Sequence, residues 1–289
     1  LTKATIPATY TAYAFSDDAD VLIHARLAAD AVGATKMDRP EWGAVNPKTG
    51  EIYFTLTNNS NRTAATTDAA NPRSYTDAQG ATSESAARSN TGNINGHIIR
   101  FRETGGDNAA LGFNWDVYLF GAEADANAAA ANLSGLTAEN DFSSPDGLWF
   151  SEATGAAFIQ CDDGSFTDVT NCMMLIATPG QVGDGAKVAI DYTVNGAAKR
   201  VETFVGAKAT PTTVKRFLVG PAESEITGVC ETPDGKAIFV NVQHPGEATA
   251  LANIKDTSKY SSHWPDGGNA RPRSATIVVT KDDGGLIGS

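Results

Sequence analysis

The sequence has no apolar run approaching the roughly 20 residues that a helix needs to cross a bilayer, which removes a helical membrane span from consideration. It starts at Leu1, and no basic segment precedes an apolar stretch, so no signal peptide is visible. Opening mid-strand with LTKATIPATYTAYAF, it reads as a chain whose front lies elsewhere. Basic residues are in deficit, 22 against 34 acidic ones, for a formal charge of −12. That balance argues against a broad basic surface for nucleic acid and fits either solubility or carboxylate clusters that take up hard cations. Three cysteines, Cys161, Cys172 and Cys230, are too few for a disulfide framework and form no CxxC pair. Cys161 and Cys172 can pair across a loop, or each can be a buried thiol. GxSxG, HExxH, the Walker loop and GxGxxG are missing, so serine hydrolase, zinc peptidase and nucleotide-binding readings have no support.

What is present is mostly strand. GEIYFTLT, GHIIRFRE, WDVYLFG, GLWFSE, AAFIQC, CMMLIAT, AKVAIDYTV, KRVETFVG, AIFVNVQ and ATIVVTK are rich in aromatic and β-branched residues and are bounded by Gly, Pro, Asn and Asp. One short helix is predicted near residues 20–33, capped by Asp20, with Leu22, Ala25, Ala29 and Val32 at helical spacing and Gly33 as its stop. A second, alanine-rich helical segment runs from Ala122 to Leu133 and is expected on the surface. Asn61 to Asn95 reads as a solvated loop or insertion.

An internal repeat organises these strands. RPEWGAVNPKTGEIYFTLTNN, SPDGLWFSEATGAAFIQCDD and SEITGVCETPDGKAIFVNVQHP share an acidic residue (Glu41, Asp146, Glu225), a short strand, a turn glycine (Gly50, Gly155, Gly235) and a second strand. The copies stand 105 and 79 residues apart, leaving room for two more strands and insertions. This predicts an all-β fold of four-stranded propeller blades, three to four in number; a two-sheet sandwich is the competing architecture.

In a propeller, equivalent positions on the innermost strands approach one another. Glu41, Asp146 and Glu225 would then converge, and converging carboxylates repel unless a cation neutralises them. Oxygen donors suit calcium and high-valent iron. Arg39, two residues before Glu41, would face the same side of its strand, a pairing that suits phosphate. The plainer readings are a turn or strand cap for each acid and an ordinary ion pair for Arg39. Asn58, Asn59 and His244 are weaker candidates, as is the acidic loop with Asp162, Asp163 and Asp168.

MDRPEW at 37–42, TGEIYFTLTNN, NPR at 71–73, GHIIR at 96–100, SPDGLWF at 144–150, DVTNCMML at 168–175, EITG at 225–228, FVNVQHPGE at 239–247 and the ending from SHWPDGG onward resemble the PhoX family of bacterial alkaline phosphatases. The resemblance runs from about Asp20 to the last residue. It implies a six-bladed propeller whose channel holds ferric iron and calcium, of which residues 1–289 form one partial domain, the carboxyl-terminal half of the ring, with one short helix and long loop insertions. It implies phosphate-ester hydrolysis in the periplasm or outside the cell after twin-arginine export. Arg39 and Glu41 are the expected catalytic residues, and Glu41, Asp146 and Glu225 the expected metal ligands. The missing amino-terminal half of the propeller is the expected partner, without which the fragment should be inactive. A non-catalytic calcium-binding propeller is the alternative.

Overall fold

Aromatic and β-branched runs form thirteen strands in the computed structural model, which describes residues 1–75, 91–162 and 170–289. Asp163 and Asp168 lie outside the described residues. The chain divides into two units, Leu1–Met37 and Asp38–Ser289.

In the first unit, α1 (Asp18–Ile23) and α2 (Ala25–Ala31) take the place of the single helix expected near 20–33. His24 breaks the run at φ −102° and ψ 43°. Asp17, not Asp20, is the cap, accepting from the Asp20 N–H at 2.8 Å. The Asp20 carboxylate is instead occupied by the Tyr13 hydroxyl at 3.0 Å, the Ser16 N–H at 2.8 Å and His24 Nδ1 at 2.8 Å. Gly33 ends α2 at φ +69°, and the N–H groups of Gly33 and Ala34 return to the carbonyls of Asp30 and Ala29 at 3.1 and 3.0 Å.

The second unit contains three sheets. β1 (Pro40–Val45), β2 (Ile52–Leu56), β3 (His97–Glu103) and β4 (Phe113–Phe120) pair in order as the first, antiparallel throughout. β5 (Pro145–Phe150), β6 (Ala157–Cys161) and β7 (Met173–Ala177) begin the second. The chain then leaves for a hairpin, β8 (Ala186–Val194) and β9 (Ala197–Val205), before returning as β10 (Val214–Val219) to pair with β7. That hairpin extends the first sheet, where β9 meets β4 in parallel at Val117 and Val205. β11 (Glu225–Glu231), β12 (Ala237–Gln243) and β13 (Ala275–Thr280) form the third sheet, with three strands rather than the expected four.

Packing decides between sandwich and blades. One face of the second sheet packs Leu148, Ile159 and Leu175 against Tyr53, Ile98 and Leu119 of the first. Its other face packs Phe158 and Met174 against Ile226, Ile238 and Val240 of the third. A two-sheet sandwich buries one face of each sheet, whereas here the middle sheet buries both. Cys161 and Cys172 belong to these two separate clusters, which leaves no basis for the cross-loop pairing considered from sequence.

The segment Ala122–Leu133 is not helical and only partly on the surface, with Asp125 and Asn127–Ala129 exposed. It is a chain of turns, with Ala122, Ala126 and Ala131 buried in the first cluster. Helix-forming alanine is overridden by tertiary bonds, because Arg73 Nη1 takes the Ala131 carbonyl at 2.7 Å and Asn132 Nδ2 takes that of Ala124 at 3.1 Å.

Arg73 belongs to a buried polar network behind β2 and β3. Its guanidinium donates to Asn93 Oδ1 and to the carbonyls of Gly96, Gly121 and Ala131, and lies over the Phe120 ring at 4.5 Å. Asn93 Nδ2 donates to His97 Nδ1 at 2.9 Å, so His97 Nε2–H donates to the Ala70 carbonyl at 2.8 Å. Burial, reinforced by the Arg73 charge, pushes the His97 imidazole down to about 4. Its folded value lies below the ordinary 6.5, so acid protonates the unfolded chain first. Stability is therefore full above about pH 6.5 and falls as the pH drops toward 4, by on the order of 3 kcal/mol. His97→Gln, which cannot titrate, should flatten this part of the acid limb in denaturant titrations at pH 7 and 4.5. An unchanged slope would remove His97 as its source.

Candidate active site

β1, β5 and β11 are the first-edge strands of their sheets, with β1 lying against β5 and β5 against β11. Each carries a bulge. Glu41 and Trp42 together face Thr55, and Asp146 and Gly147 together face Gln160. On β11 the extra residue is Gly228, at φ +53°, where a Cβ would stand 2.3 Å from Asn241 Nδ2. The residue opposite each of the first two bulges bridges to the next sheet. Thr55 Oγ1 donates to the Asp146 carbonyl at 2.7 Å, and Gln160 Nε2 reaches the Gly228 carbonyl at 3.5 Å.

This register corrects the sequence alignment of the acids. Glu41 and Asp146 occupy matching bulge positions, but their counterpart on β11 is Thr227; Glu225 lies two residues earlier, paired with Gln243. The bulge of β11 lies closer to its turn, with Thr227 eight residues before Gly235, whereas Glu41 and Asp146 each stand nine before Gly50 and Gly155. Residues two apart share a face, so Glu225 still projects to the side of Thr227.

Glu41, Asp146 and Glu225 meet electrostatically, and Asp162 joins them. The Asp146 carboxyl is pushed up to about 7, by burial and then by the charges of Glu41, Asp162 and Glu225, against the opposing pull of Arg39. Glu225 is raised by burial and by Asp162, and is drawn back by His244, whose Nε2 lies 3.6 Å from Glu225 Oε2. Gln243 Nε2 also donates to Glu225 at 2.5 Å. The sequence placed Asp162 in a separate loop cluster; its position directly after β6 brings it here.

Arg39 holds the centre. Its Nε donates to Glu41 Oε1 at 3.0 Å, Nη2 to Asp162 Oδ2 at 3.0 Å, and Nη1 to Asn58 Oδ1 at 3.4 Å. The Arg39 side chain is 48% exposed, and ion pairs at such exposure contribute only about 0.2–1 kcal/mol. Its backbone has φ +52°, the left-handed region that costs a non-glycine residue on the order of 1 kcal/mol. The ion pairs alone therefore do not fix this conformation. Asn59 stands apart from the carboxylates, its Nδ2 bonded to Asp38 Oδ1 at 2.8 Å.

Four neighbouring carboxylates, two of them bonded to one guanidinium, offer the oxygen donors that hard cations take. Among the described residues, no three acidic, imidazole or thiol side chains stand close enough to enclose one ion. A cavity of about 310 Å³ near Tyr118, Asp184 and Lys208 contains none of the four carboxylates.

No curated protein matches the chain significantly. A solved structure of Pseudomonas fluorescens PhoX in complex with vanadate, a transition state analogue, is similar at 32% identity with a TM-score of 0.65. The match covers 95% of this chain and 39% of that one, so the chain spans well under half the length of its solved relative. Residues 3–246 match the family described as alkaline phosphatase PhoX. With the bulged-strand acids and Arg39 inside the matched region, the chain belongs to the PhoX alkaline phosphatase family.

Proposed function

We propose that this chain carries part of the active site of a metal-dependent phosphatase that hydrolyses phosphate monoesters. The observation that carries the reading is Arg39, a guanidinium held at 3.0 Å by both Glu41 and Asp162 within a surplus of carboxylates. A phosphoryl group would displace those partners in part and take the planar fork on two of its oxygens. Glu41, Asp146 and Glu225 are the proposed cation ligands, and Asp162 is a further carboxylate beside them. A bound cation would neutralise the cluster and polarise the remaining phosphoryl oxygens. Calcium suits these donors, and ferric iron, which the family resemblance implies, also accepts carboxylates.

Further donors lie beyond this carboxylate set. The first sheet exposes Phe54 and Phe113, each more than a third accessible and both packed against Phe101, on a face that another blade would cover. We propose that additional blades, contributed by the amino-terminal part of a longer protein, close the ring and complete the coordination. No helix among the described residues is long and apolar enough to cross a membrane. Action in the periplasm or outside the cell, after twin-arginine export, follows from the family reading.

Two outcomes test this. Because Asp146 has to lose a proton to bind a cation, calcium affinity should rise roughly tenfold between pH 6 and 8, and Asp146→Asn should abolish that rise. Calorimetric titrations showing equal affinity at both pH values would remove Asp146 from the cation site. In the complete protein, Arg39→Ala or Glu41→Gln should lower phosphomonoester turnover by about 10²–10³-fold, and chelators should abolish it. Calcium binding with no turnover in the complete protein would favour the non-catalytic calcium-binding propeller.

A further inference from the structure

We propose that Asp38 is a positioning residue for Arg39, clamping the chain where the backbone turns left-handed and so aiming the guanidinium into the carboxylate cluster. Asp38 is fully buried and takes no part in the cluster itself. Its Oδ1 accepts from Arg62 Nε at 2.9 Å, Arg62 Nη2 at 2.5 Å and Asn59 Nδ2 at 2.8 Å. Its Oδ2 accepts from Asn93 Nδ2 at 3.0 Å, and its own N–H donates to Asn71 Oδ1 at 3.1 Å. On the other side of Arg39, the Arg39 carbonyl accepts from the Thr57 N–H at 3.0 Å. The residue is thus fastened before and after its φ of +52°.

A carboxylate satisfied by four donors inside the protein has one permitted orientation, whereas the exposed pairs of Arg39 with Glu41 and Asp162 exchange readily with water. The buried end therefore determines the direction of the exposed one. Support extends further back. Lys199 Nζ on β9 donates to the carbonyls of Ala64, Ala65 and Thr67 at 2.9, 2.9 and 2.7 Å. The Tyr192 hydroxyl on β8 donates to the Pro72 carbonyl at 2.6 Å. The inserted hairpin thus grips the loop that supplies Asn59, Arg62 and Asn71 to Asp38.

The inference rests on the reading of Arg39 as the phosphate-binding group, but its test does not use turnover. In the 289-residue chain, solvent exchange of the Arg39 Nε–H is followed by NMR, with the signal assigned by its loss in Arg39→Lys. Asp38→Asn should speed that exchange roughly tenfold or more while sheet amides remain protected. Val240→Ala, which loosens the third sheet instead, should leave it unchanged. If Asp38→Asn does not fold, Asn59→Ala, which removes a single bond to Asp38, should show the same acceleration at smaller amplitude. Unchanged Arg39 exchange in a folded Asp38→Asn, or in Asn59→Ala when the former is unfolded, would overturn the proposal. Orthovanadate titration of the same samples separates the two readings. Accelerated exchange without vanadate binding keeps the positioning role and discards the phosphate one.

Discussion

The arrangement of the site depends on sheets packed face to face so that their first-edge strands lie side by side. A strand on the rim of an isolated sheet would hold its acid in water, where an exposed carboxylate stays ionised and free of its neighbours. Here Leu148 and Ile159 are buried on one face of the second sheet and Phe158 and Met174 on the other, so β5 is confined between β1 and β11. Each fully buried side chain of this size contributes about 1.5–3 kcal/mol. That burial outweighs the repulsion it imposes on a handful of half-buried carboxylates.

Two charged clusters in the same unit show what such packing does with and without balance. Arg100 is fully buried, gives Asp116 two bonds at 2.7 and 3.0 Å, and gives Asp184 one at 2.6 Å. Backbone N–H groups of Gly183 and Ala207 satisfy those acids further, at 2.7 and 2.8 Å. Both acids of that network are thereby satisfied, with Arg100 Nη1 left without a partner among the described residues, and it ties the segment entering the inserted hairpin to the first sheet. The cluster around Arg39 is open, since three further carboxylates raise the Asp146 carboxyl and only one guanidinium opposes them. Imbalance, rather than acidity as such, is what distinguishes this cluster from the Arg100 network.

Much of this was legible because strands and turns are local. β8 and β12 occupy the segments predicted for them, since alternation and turn glycines act within a few residues. β10 is not among the strands expected from the sequence, since the two basic residues of its VKRFLV interrupt the apolar run. The Ala122–Leu133 segment misled through propensity alone, a weak signal that Arg73 overrides from some 58 residues away in sequence. Asp162 and the hairpin's attachment to the first sheet depend on contacts between residues about 84 to 135 apart, which no periodicity encodes. The expectation that Arg39 and Glu41 share a strand face meets a different backbone: the two side chains are bonded, but Arg39 precedes β1 at φ +52°, where the alternation of a strand does not apply.

The repeat itself was read correctly in kind and incorrectly in register, and the reason is physical. Sequence aligns the copies by their acids, whereas the structure aligns them by bulges, and the bulges carry the contacts from sheet to sheet. Thr55 spends its hydroxyl on the Asp146 carbonyl and Gln160 turns its amide toward Gly228, so each polar residue opposite a bulge fastens the following first-edge strand. Asn241 occupies that position in the third sheet and accepts instead from Thr276 Oγ1, within its own sheet, at 2.7 Å. Its amide nitrogen remains directed at Gly228, which explains why that residue is glycine. The repeated unit is therefore the bulge with its polar partner, and the acid of β11 stands two residues before its bulge position, on the same face, while still acting on Asp146.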